Sequence, residues 1–476
     1  MLFVGIVELM GGPATGDADV VDVSTWPIAH GQLACAFPKN RIVIAPLYPF
    51  VSGVLSAAAR IGHAVPFPSR AALGPDCVDA YSAFTDWAWK AGALSDTLLV
   101  GYVGWLALAA GAVALLRASG RGRCGWEPAT LLLLACLPPV WMCLENFFHP
   151  QDLLAMGLAL GAVACARRSW WLGAGVLIAL ATLSQQYALL VATPLLVVAP
   201  GDRRWRFAGA AAVTLALAVV TLFVVSSFTA VTAVLIGSAN SALSSTVLTA
   251  LHLHGGARVF VSRFVPLEIA LVLAWWATDR LGPDVLEPVP LLSLLGVSLG
   301  LRLVFEVNMW GYYYMALAVV LVLLDVVGGR IRASLAAWLG AVSVVYLVGP
   351  TTSRAVWNAV GWGGDARQLL VPLVVVLAVA VIAFHAARGR LEWNDVVWVG
   401  LASGAALAWP STHNPLGAHL AGLWWQVALV PLGIVLAAKP LLALMRVPAH
   451  TPLPERGVAL ISTSRRSGTG GGTRGR

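Results

Sequence analysis

Residues 97–123, TLLVGYVGWLALAAGAVALLRASGRGR, decide how this chain is arranged. The stretch opens with an almost wholly apolar run of about 20 residues, the length that an α-helix needs to cross a bilayer. The rest of it carries Arg117, Arg121 and Arg123. Arginine-rich turns beside membrane helices lie as a rule on the cytoplasmic side. The stretch therefore predicts a transmembrane helix that ends in the cytoplasm.

The composition extends this prediction to the whole chain. Of its 476 residues, 59% are hydrophobic and 11% are charged, and the mean hydropathy is +0.83. A soluble domain carries roughly 25% charged residues, so the composition argues against a soluble fold. We expect an all-α, polytopic integral membrane protein with about 12–14 transmembrane helices. Residues 1–445 are predicted to form the membrane domain, and residues 446–476 a disordered, basic cytoplasmic tail.

The region before these helices is predicted to be one long external loop, residues 13–95. Residues 42–61 are apolar enough for a further span, but a crossing there would place the arginine-rich turn outside. We therefore expect re-entrant or juxtamembrane helices at the membrane surface in this loop. Residues 1–12 are apolar but too short to span, and they lack the basic start of a signal peptide. We expect them to be the remainder of a first membrane helix.

Apolar segments alternate with short polar turns from residue 97 onwards. Most of the 30 basic residues fall in every second turn, which predicts a multi-pass plasma-membrane protein with a cytoplasmic C-terminus. Several segments are shorter than a full span, and residues 170–200 are expected to form a buried helical hairpin. The predicted segments are 97–117, 128–145, 152–166, 170–185, 187–200, 206–228, 264–280, 289–307, 312–328, 333–349, 369–387, 394–410 and 420–438.

An acidic cluster lies near the start of the external loop and consists of Asp17, Asp19 and Asp22. Asp is a common N-cap residue, so the cluster could simply begin a helix. Acids at a membrane surface can also bind a divalent cation, Mg²⁺ or Mn²⁺, or accept a proton from a hydroxyl group. Asp19 and Asp22 would share one face of a helix, which favours a joint role.

Two further polar stretches are predicted on the external side. In the first, His149 and Asp152 flank a proline that can open a helix, whose N-terminus could bind a phosphate. In the second, Gln185 and Gln186 lie at the tip of the predicted hairpin. Amides at membrane depth need partners, and hydrogen bonds between helices are the simpler explanation for them.

A third group of candidates lies around residue 302. Arg302 and Glu306 are one helical turn apart and precede Tyr312 and Tyr313. An internal ion pair and an aromatic belt would explain them, but the arginine could also clamp a phosphate beside a tyrosine-lined groove. The preceding external loop adds Arg258 and Arg263, which could recruit a lipid phosphate, together with His252 and His254, which lack a third metal ligand.

These motifs resemble the GT-C superfamily of polytopic glycosyltransferases, and in particular actinobacterial members of its family 87 (DUF2029-like) group. The resemblance covers about the first 330 residues. It departs from the family at Val23, where relatives often have Tyr, and near Gln185, where they often have Lys. The motifs that carry it are Asp19, the turn His30-Gly31, the PLYP of residues 46–49, the HPQD of residues 149–152 and the stretch 167–190.

The resemblance implies transfer of a sugar, mannose or arabinofuranose, from a polyprenyl-phosphate donor to a glycolipid or glycan acceptor of the cell envelope. In such enzymes an Asp of the first external loop is the base, sometimes with a divalent metal. That role would fall to Asp19, with Asp22 and Asp17 as alternatives. His149, Arg302, Arg258 and Arg263 would then bind the donor phosphate. The substrate groove would comprise Asp152, Gln185, Gln186, Tyr312 and Tyr313.

Two other functions are compatible with the same pattern. One is a transporter or flippase of a lipid-linked sugar, and the other is a non-catalytic membrane protein of envelope assembly. A transporter is expected to show repeats and ionisable residues at mid-membrane, whereas the acids here collect at one face. The net charge of +8 follows from the cytoplasmic arginines, so the bilayer is the expected partner and nucleic acid is not.

Overall fold

A computed structural model describes about three fifths of the chain, and every regular element in that part is helical. The acidic cluster, the predicted segments 369–387 and 394–410, and nearly all of the predicted tail lie outside the described residues. The described residues are 25–36, 45–59, 66–69, 93–121, 126–144, 148–225, 246–329, 331–347 and 425–446.

The α-helices of the described residues are numbered here in chain order. They are α1 Leu33–Ala36, α2 Leu47–Ala59, α3 Ala93–Ala118, α4 Trp126–Ala135, α5 Pro138–Met142, α6 Pro150–Arg167, α7 Trp171–Ser184, α8 Leu189–Val198, α9 Arg203–Val225, α10 Val247–Ala250, α11 Gly255–Arg263, α12 Val265–Leu281, α13 Pro288–Val304, α14 Met315–Val327, α15 Ala333–Leu347 and α16 Val430–Met445. Short 3₁₀ turns, Gln186–Ala188, Gly282–Leu286 and Gly311–Tyr314, lead into or follow them, and a π-helical turn, Trp425–Leu429, precedes α16.

Four helical stretches of the described residues are long and apolar enough to cross a membrane. They are Val100–Ala118, Arg203–Phe223, Gly255–Leu286 and Gln426–Met445. The other apolar helices are shorter, with 10–17 residues. The helix α2 within residues 42–61 has 13 residues, or about 20 Å, and is too short for a 30 Å hydrocarbon layer.

The predicted segment 128–145 is interrupted in the structure. Residues 128–145 were expected to form a single helix, but α4 ends at Ala135 and α5 begins at Pro138. Pro138 and Pro139 have no backbone N–H to give to the preceding turn, so the helix cannot run through them. Proline has the opposite effect at Pro150 and Pro288, which lie in the first turn of α6 and α13, where the N–H has no helical partner.

Glycines bring α3 and α6 into direct backbone contact. A methyl group at Gly157 of α6 would overlap the backbone of Ala107, and one at Gly111 of α3 would overlap the carbonyl of Gly157. Gly104 lies in the same way against the carbonyl of Pro150. Small residues permit such close approach between membrane helices. This packing fixes the start of α6 against α3.

The turns at one end of the helix bundle are joined by arginines, and we call this the basic end. Arg121 donates to the carbonyl of Val327, and Arg167 reaches the carbonyls of Ala118 and Leu286. Turns far apart in sequence therefore meet in one layer, at the C-terminal ends of α3, α6 and α14. They are the turns that the sequence assigns to the cytoplasm. The starts of α6 and α14 and the ends of α7 and α13 lie at the opposite end.

Candidate functional site

The end of the bundle opposite the basic end holds a group of charged, amide and aromatic side chains, which we call the polar cluster. It is assembled where α6 and α12 begin and where α7 and α13 end. Its members are His149, Gln151, Asp152, Gln185, Tyr187, Arg263, Arg302, Glu306, Tyr312 and Tyr313, with Gln426 behind them.

His149 is the N-cap residue of α6, but its side chain does not cap the helix. Its ring lies flat on Tyr312, with ring centroids 4.2 Å apart and an angle of 19° between the planes. Its Nδ1 lies 3.4 Å from a carboxylate oxygen of Asp152 and 2.7 Å from the side-chain nitrogen of Gln151. The imidazole is thus fixed in orientation by a stack and two polar contacts.

The end of α7 holds Asp152 in place. Gln185 donates its side-chain amide to the carboxylate of Asp152 at 3.2 Å, and the hydroxyl of Tyr187 donates to the backbone carbonyl of Asp152 at 2.6 Å. Ser184 donates to the carbonyl of Gln151 at 2.8 Å. The hydrogen bonds between helices that we expected for this pair of glutamines are therefore present for Gln185. They join the tip of the α7–α8 hairpin to the start of α6.

Arg302 is the central cation of the polar cluster. Its guanidinium carbon lies 5.0 Å from the ring centre of Tyr187 and 4.9 Å from that of Tyr313, so it contacts two aromatic rings at once. Its Nε donates to Glu306 at 3.2 Å, as expected for residues one helical turn apart. Neither terminal nitrogen hydrogen-bonds to a described residue. The side chain is 14% exposed, so its position is fixed although these two nitrogens have no hydrogen-bond partner among the described residues.

Glu306 joins a second arginine to the first. Its carboxylate lies 3.8 Å from Arg263, at the end of α11, and also accepts the backbone N–H of Val307 at 3.1 Å. The carboxylate is buried, with 6% of the side chain exposed. A buried carboxylate is stable only with such partners, so the two arginines and Glu306 form one ionic group.

Gln426, which is distant in sequence, stabilises the turn that carries Glu306. Its amide nitrogen donates to the carbonyls of Leu303 at 3.0 Å and Glu306 at 2.8 Å, and its oxygen accepts the N–H of Val247 at 2.7 Å. Gln426 belongs to the π-helical turn before α16, an element that often marks functional positions. The sequence pattern did not single out Gln426 or Gln151.

Most described candidates from the sequence meet in the polar cluster. Those that meet are His149, Asp152, Gln185, Arg263, Arg302, Tyr312 and Tyr313. Gln186 lies half-buried in the adjoining 3₁₀ turn, and Arg258 is buried in α11. His252 and His254 lie in the turn before α11.

The proposed metal ligands Asp17, Asp19 and Asp22 lie outside the described residues. Within the described part of the chain, no three His, Cys, Asp or Glu side chains are arranged to hold a metal ion. A metal site in this protein would therefore have to draw on residues beyond those described. The predicted Mg²⁺ or Mn²⁺ stays a prediction.

Comparison with known proteins adds no identification. No protein-family model matches the chain, and no curated protein matches its sequence. The function is therefore argued from the polar cluster itself.

Proposed function

We propose that this chain is a polytopic plasma-membrane glycosyltransferase. In this proposal a polyprenyl-phosphate sugar is the donor, and the sugar, mannose or arabinofuranose, passes to a cell-envelope glycolipid or glycan. Transfer takes place on the outer face, at the polar cluster. The GT-C resemblance of the sequence motifs suggests the reaction, and the polar cluster supports the binding of a lipid phosphate.

The observation that carries the proposal is the state of Arg302. Its guanidinium is fixed between Tyr187 and Tyr313, while its terminal N–H groups have no described partner. A planar fork of donors that is already oriented suits a phosphate, which accepts two parallel hydrogen bonds from arginine. An arginine needed only for the ion pair with Glu306 would not require a guanidinium that is oriented by two aromatic rings.

The other roles follow from position. His149, held by Asp152 and stacked on Tyr312, is placed to donate a hydrogen bond or a proton to the departing phosphate. The start of α6 adds backbone N–H groups and the positive end of a helix dipole. Asp19 is the proposed base for the acceptor hydroxyl group, with Asp22 and Asp17 as alternatives and as ligands of any divalent cation.

The proposed orientation places the basic end in the cytoplasm and the polar cluster outside. The arginine-joined turns of the basic end support this orientation, because basic turns are retained on the cytoplasmic side. The acids of the polar cluster lie at the other end of the helices, where a membrane-bound acceptor and a lipid headgroup can meet. The C-terminus after α16 would then be cytoplasmic.

The experiment that tests donor binding replaces Arg302. Arg302→Ala should weaken the binding of a polyprenyl phosphate by about 10- to 100-fold, since hydrogen bonds to charged groups contribute about 1.5–3 kcal/mol. Arg302→Lys should recover only part of this loss, because lysine keeps the charge and lacks the fork. Glu306 keeps Arg263 as a partner in both variants, which limits the loss of stability. Arg280→Ala, at an exposed position of the basic end, is the matched control.

The test of chemistry uses the acids. Asp19→Asn should lower sugar transfer by about 10²–10⁴-fold, as for loss of a general base, and should leave donor binding unchanged. Asp17→Asn and Asp22→Asn separate one base from a shared acidic patch. Undiminished transfer in all three single variants and in the triple variant would contradict the transferase proposal. Donor binding that persists without any transfer would instead favour a flippase of a lipid-linked sugar.

A further inference from the structure

The strongest unexplained feature outside the polar cluster is a corner of the basic end where two turns meet. One turn, residues 168–170, joins α6 to α7, and the other consists of residues 199–202 together with the first helical turn of α9, residues 203–206. Arg203 fastens them together by donating to the hydroxyl of Ser169 at 3.1 Å. We call the exposed residues of these two turns the arginine–tryptophan corner.

The charge of this corner is not neutralised. Arg168, Arg203, Arg204 and Arg206 are all exposed. Among the described residues only Arg206 has an acidic partner, Asp202 at 2.9 Å, whereas Arg203 and Arg204 bond only to a hydroxyl and a carbonyl. No described hydrogen bond or ion pair involves the guanidinium of Arg168. The corner therefore carries a net charge of three positive units.

Three other arginines at the same end are paired with acids, whereas Arg121, Arg280 and Arg446 have no acidic partner among the described residues. Arg117 contacts Glu127 at 2.9 Å, and Arg167 lies 3.6 Å from Glu287. Arg332 contacts Asp325 at 2.6 Å. The general preference for basic residues in cytoplasmic turns applies equally to the turns with acid-paired arginines and to the corner. It therefore does not explain why the arginines of the corner lack acidic partners among the described residues. The corner differs in that three arginines without a described acidic partner lie together, in two turns joined by one hydrogen bond. This local positive charge suits a negatively charged partner outside the described chain.

The surroundings of the corner indicate what that partner is. Trp170 and Trp205 are 63% and 77% exposed, and they flank the bond between Arg203 and Ser169. Tryptophan concentrates at the level of lipid headgroups. Beyond the tryptophans, the outward faces of α7 and α9 are apolar and exposed, with Leu172 on α7 and Leu217 on α9. These three kinds of surface match the layers of a membrane leaflet. Arginines suit the headgroup phosphates, indoles suit the interface, and aliphatic side chains suit the acyl chains.

We propose that the arginine–tryptophan corner binds the headgroup phosphate of an anionic phospholipid in the cytoplasmic leaflet. Arg168, Arg203 and Arg204 supply the charge, and the two indoles set the depth of the headgroup layer. An acidic protein segment would be a poorer occupant, because the aliphatic faces directly beside the corner favour acyl chains. The inference rests on the proposed membrane location but not on glycosyl transfer, since the corner and the polar cluster lie at opposite ends of the helices.

The test measures lipid retention by the full chain in nanodiscs. Phosphatidylglycerol bound per protein is compared with phosphatidylcholine by native mass spectrometry and by competition with a fluorescent phosphatidylglycerol. Each arginine near an anionic surface contributes about a fivefold gain in affinity, so replacing Arg168, Arg203 and Arg204 by Gln should lower phosphatidylglycerol affinity at least about tenfold. Phosphatidylcholine binding should be unchanged. The triple Lys variant keeps the charges and should bind like the unchanged protein.

The matched control removes the same number of charges elsewhere at the same end. Arg280, Lys439 and Arg446 are exposed there but lie outside the corner, so their triple Gln variant should lower phosphatidylglycerol affinity much less than the corner variant does. An equal loss in both triple variants would show a diffuse charge effect and overturn the inference. So would no loss in the corner variant.

Two further measurements keep the inference testable. Photoactivatable phosphatidylglycerol should crosslink to peptides containing residues 168–206 in the unchanged protein, which does not depend on the folding of any variant. Crosslinks that avoid these residues would refute the site. Arg302→Ala should leave phosphatidylglycerol binding intact, so failure of the transferase proposal and failure of this inference are told apart.

Discussion

Gly157 takes part in one of the closest contacts between two helices, and this contact positions the helix that begins at the polar cluster. It lies in the middle of α6, and a methyl group there would overlap the backbone of Ala107 and Leu108 in α3. Backbone cannot turn aside as a flexible side chain can, so Gly157→Ala must push the two helices apart. Overpacking costs about 1–3 kcal/mol, and a direct overlap with backbone atoms places Gly157→Ala in the upper half of that range. The better helix propensity of alanine returns about 1 kcal/mol, which leaves a net cost of about 1–2 kcal/mol.

Gly209 of α9 is the matched control for Gly157. It is also a helical glycine, but a methyl group there would meet no atom within 4 Å. Gly209→Ala should therefore stabilise the protein by up to about 1 kcal/mol, while Gly157→Ala should destabilise it by about 1–2 kcal/mol. Denaturant unfolding of the purified protein in mixed micelles measures both. Equal or higher stability of Gly157→Ala would refute the backbone contact between α3 and α6.

Two other predictions concern the basic end and the topology. Asp325→Asn leaves the buried charge of Arg332 without its carboxylate and should destabilise the protein by about 3 kcal/mol, whereas Glu127→Gln, in an exposed pair, should change the stability much less. Equal effects in unfolding experiments would contradict the difference in burial. In a cysteine-free background, Ser69→Cys should react with an impermeant thiol reagent in intact cells, and Ser119→Cys only after permeabilisation. The reverse pattern would invert the proposed orientation.

Features set by local chemistry could be predicted from the sequence. The starts of α6 and α13 follow from Pro150 and Pro288, and the long helix α3 follows from an apolar run that ends in arginines. The break at residues 136–137 also has a local cause, because two prolines follow it. The apolar composition of residues 128–145 nevertheless favoured a single uninterrupted helix. Apolar content predicts that a segment is buried or lies in a membrane, whereas proline decides where its helix ends.

The candidate residues of the polar cluster could be predicted one by one, but their arrangement could not. His149 and Arg302 were each singled out as polar groups next to a helix end in an apolar chain. Nothing in either motif indicates that Tyr187 links them, with its ring on Arg302 and its hydroxyl on the backbone of Asp152. That link depends on how α6, α7 and α13 pack, which is a property of the fold and not of any single stretch.

Gln426 shows where prediction from local pattern ends. It lies more than 100 residues from the turn that it holds, in an otherwise apolar segment, and no spacing connects the two. Yet its three hydrogen bonds bind the turn carrying Glu306 to α10 and to the last described helix. In a low-dielectric interior such bonds are strong, and an amide left without them is costly. The position of Glu306, and through it the orientation of Arg302, is therefore set in part by the last helix. The orientation of the Arg302 guanidinium, the proposed phosphate ligand, thus depends on a segment that lies outside the first 330 residues. The family resemblance covers only those first 330 residues.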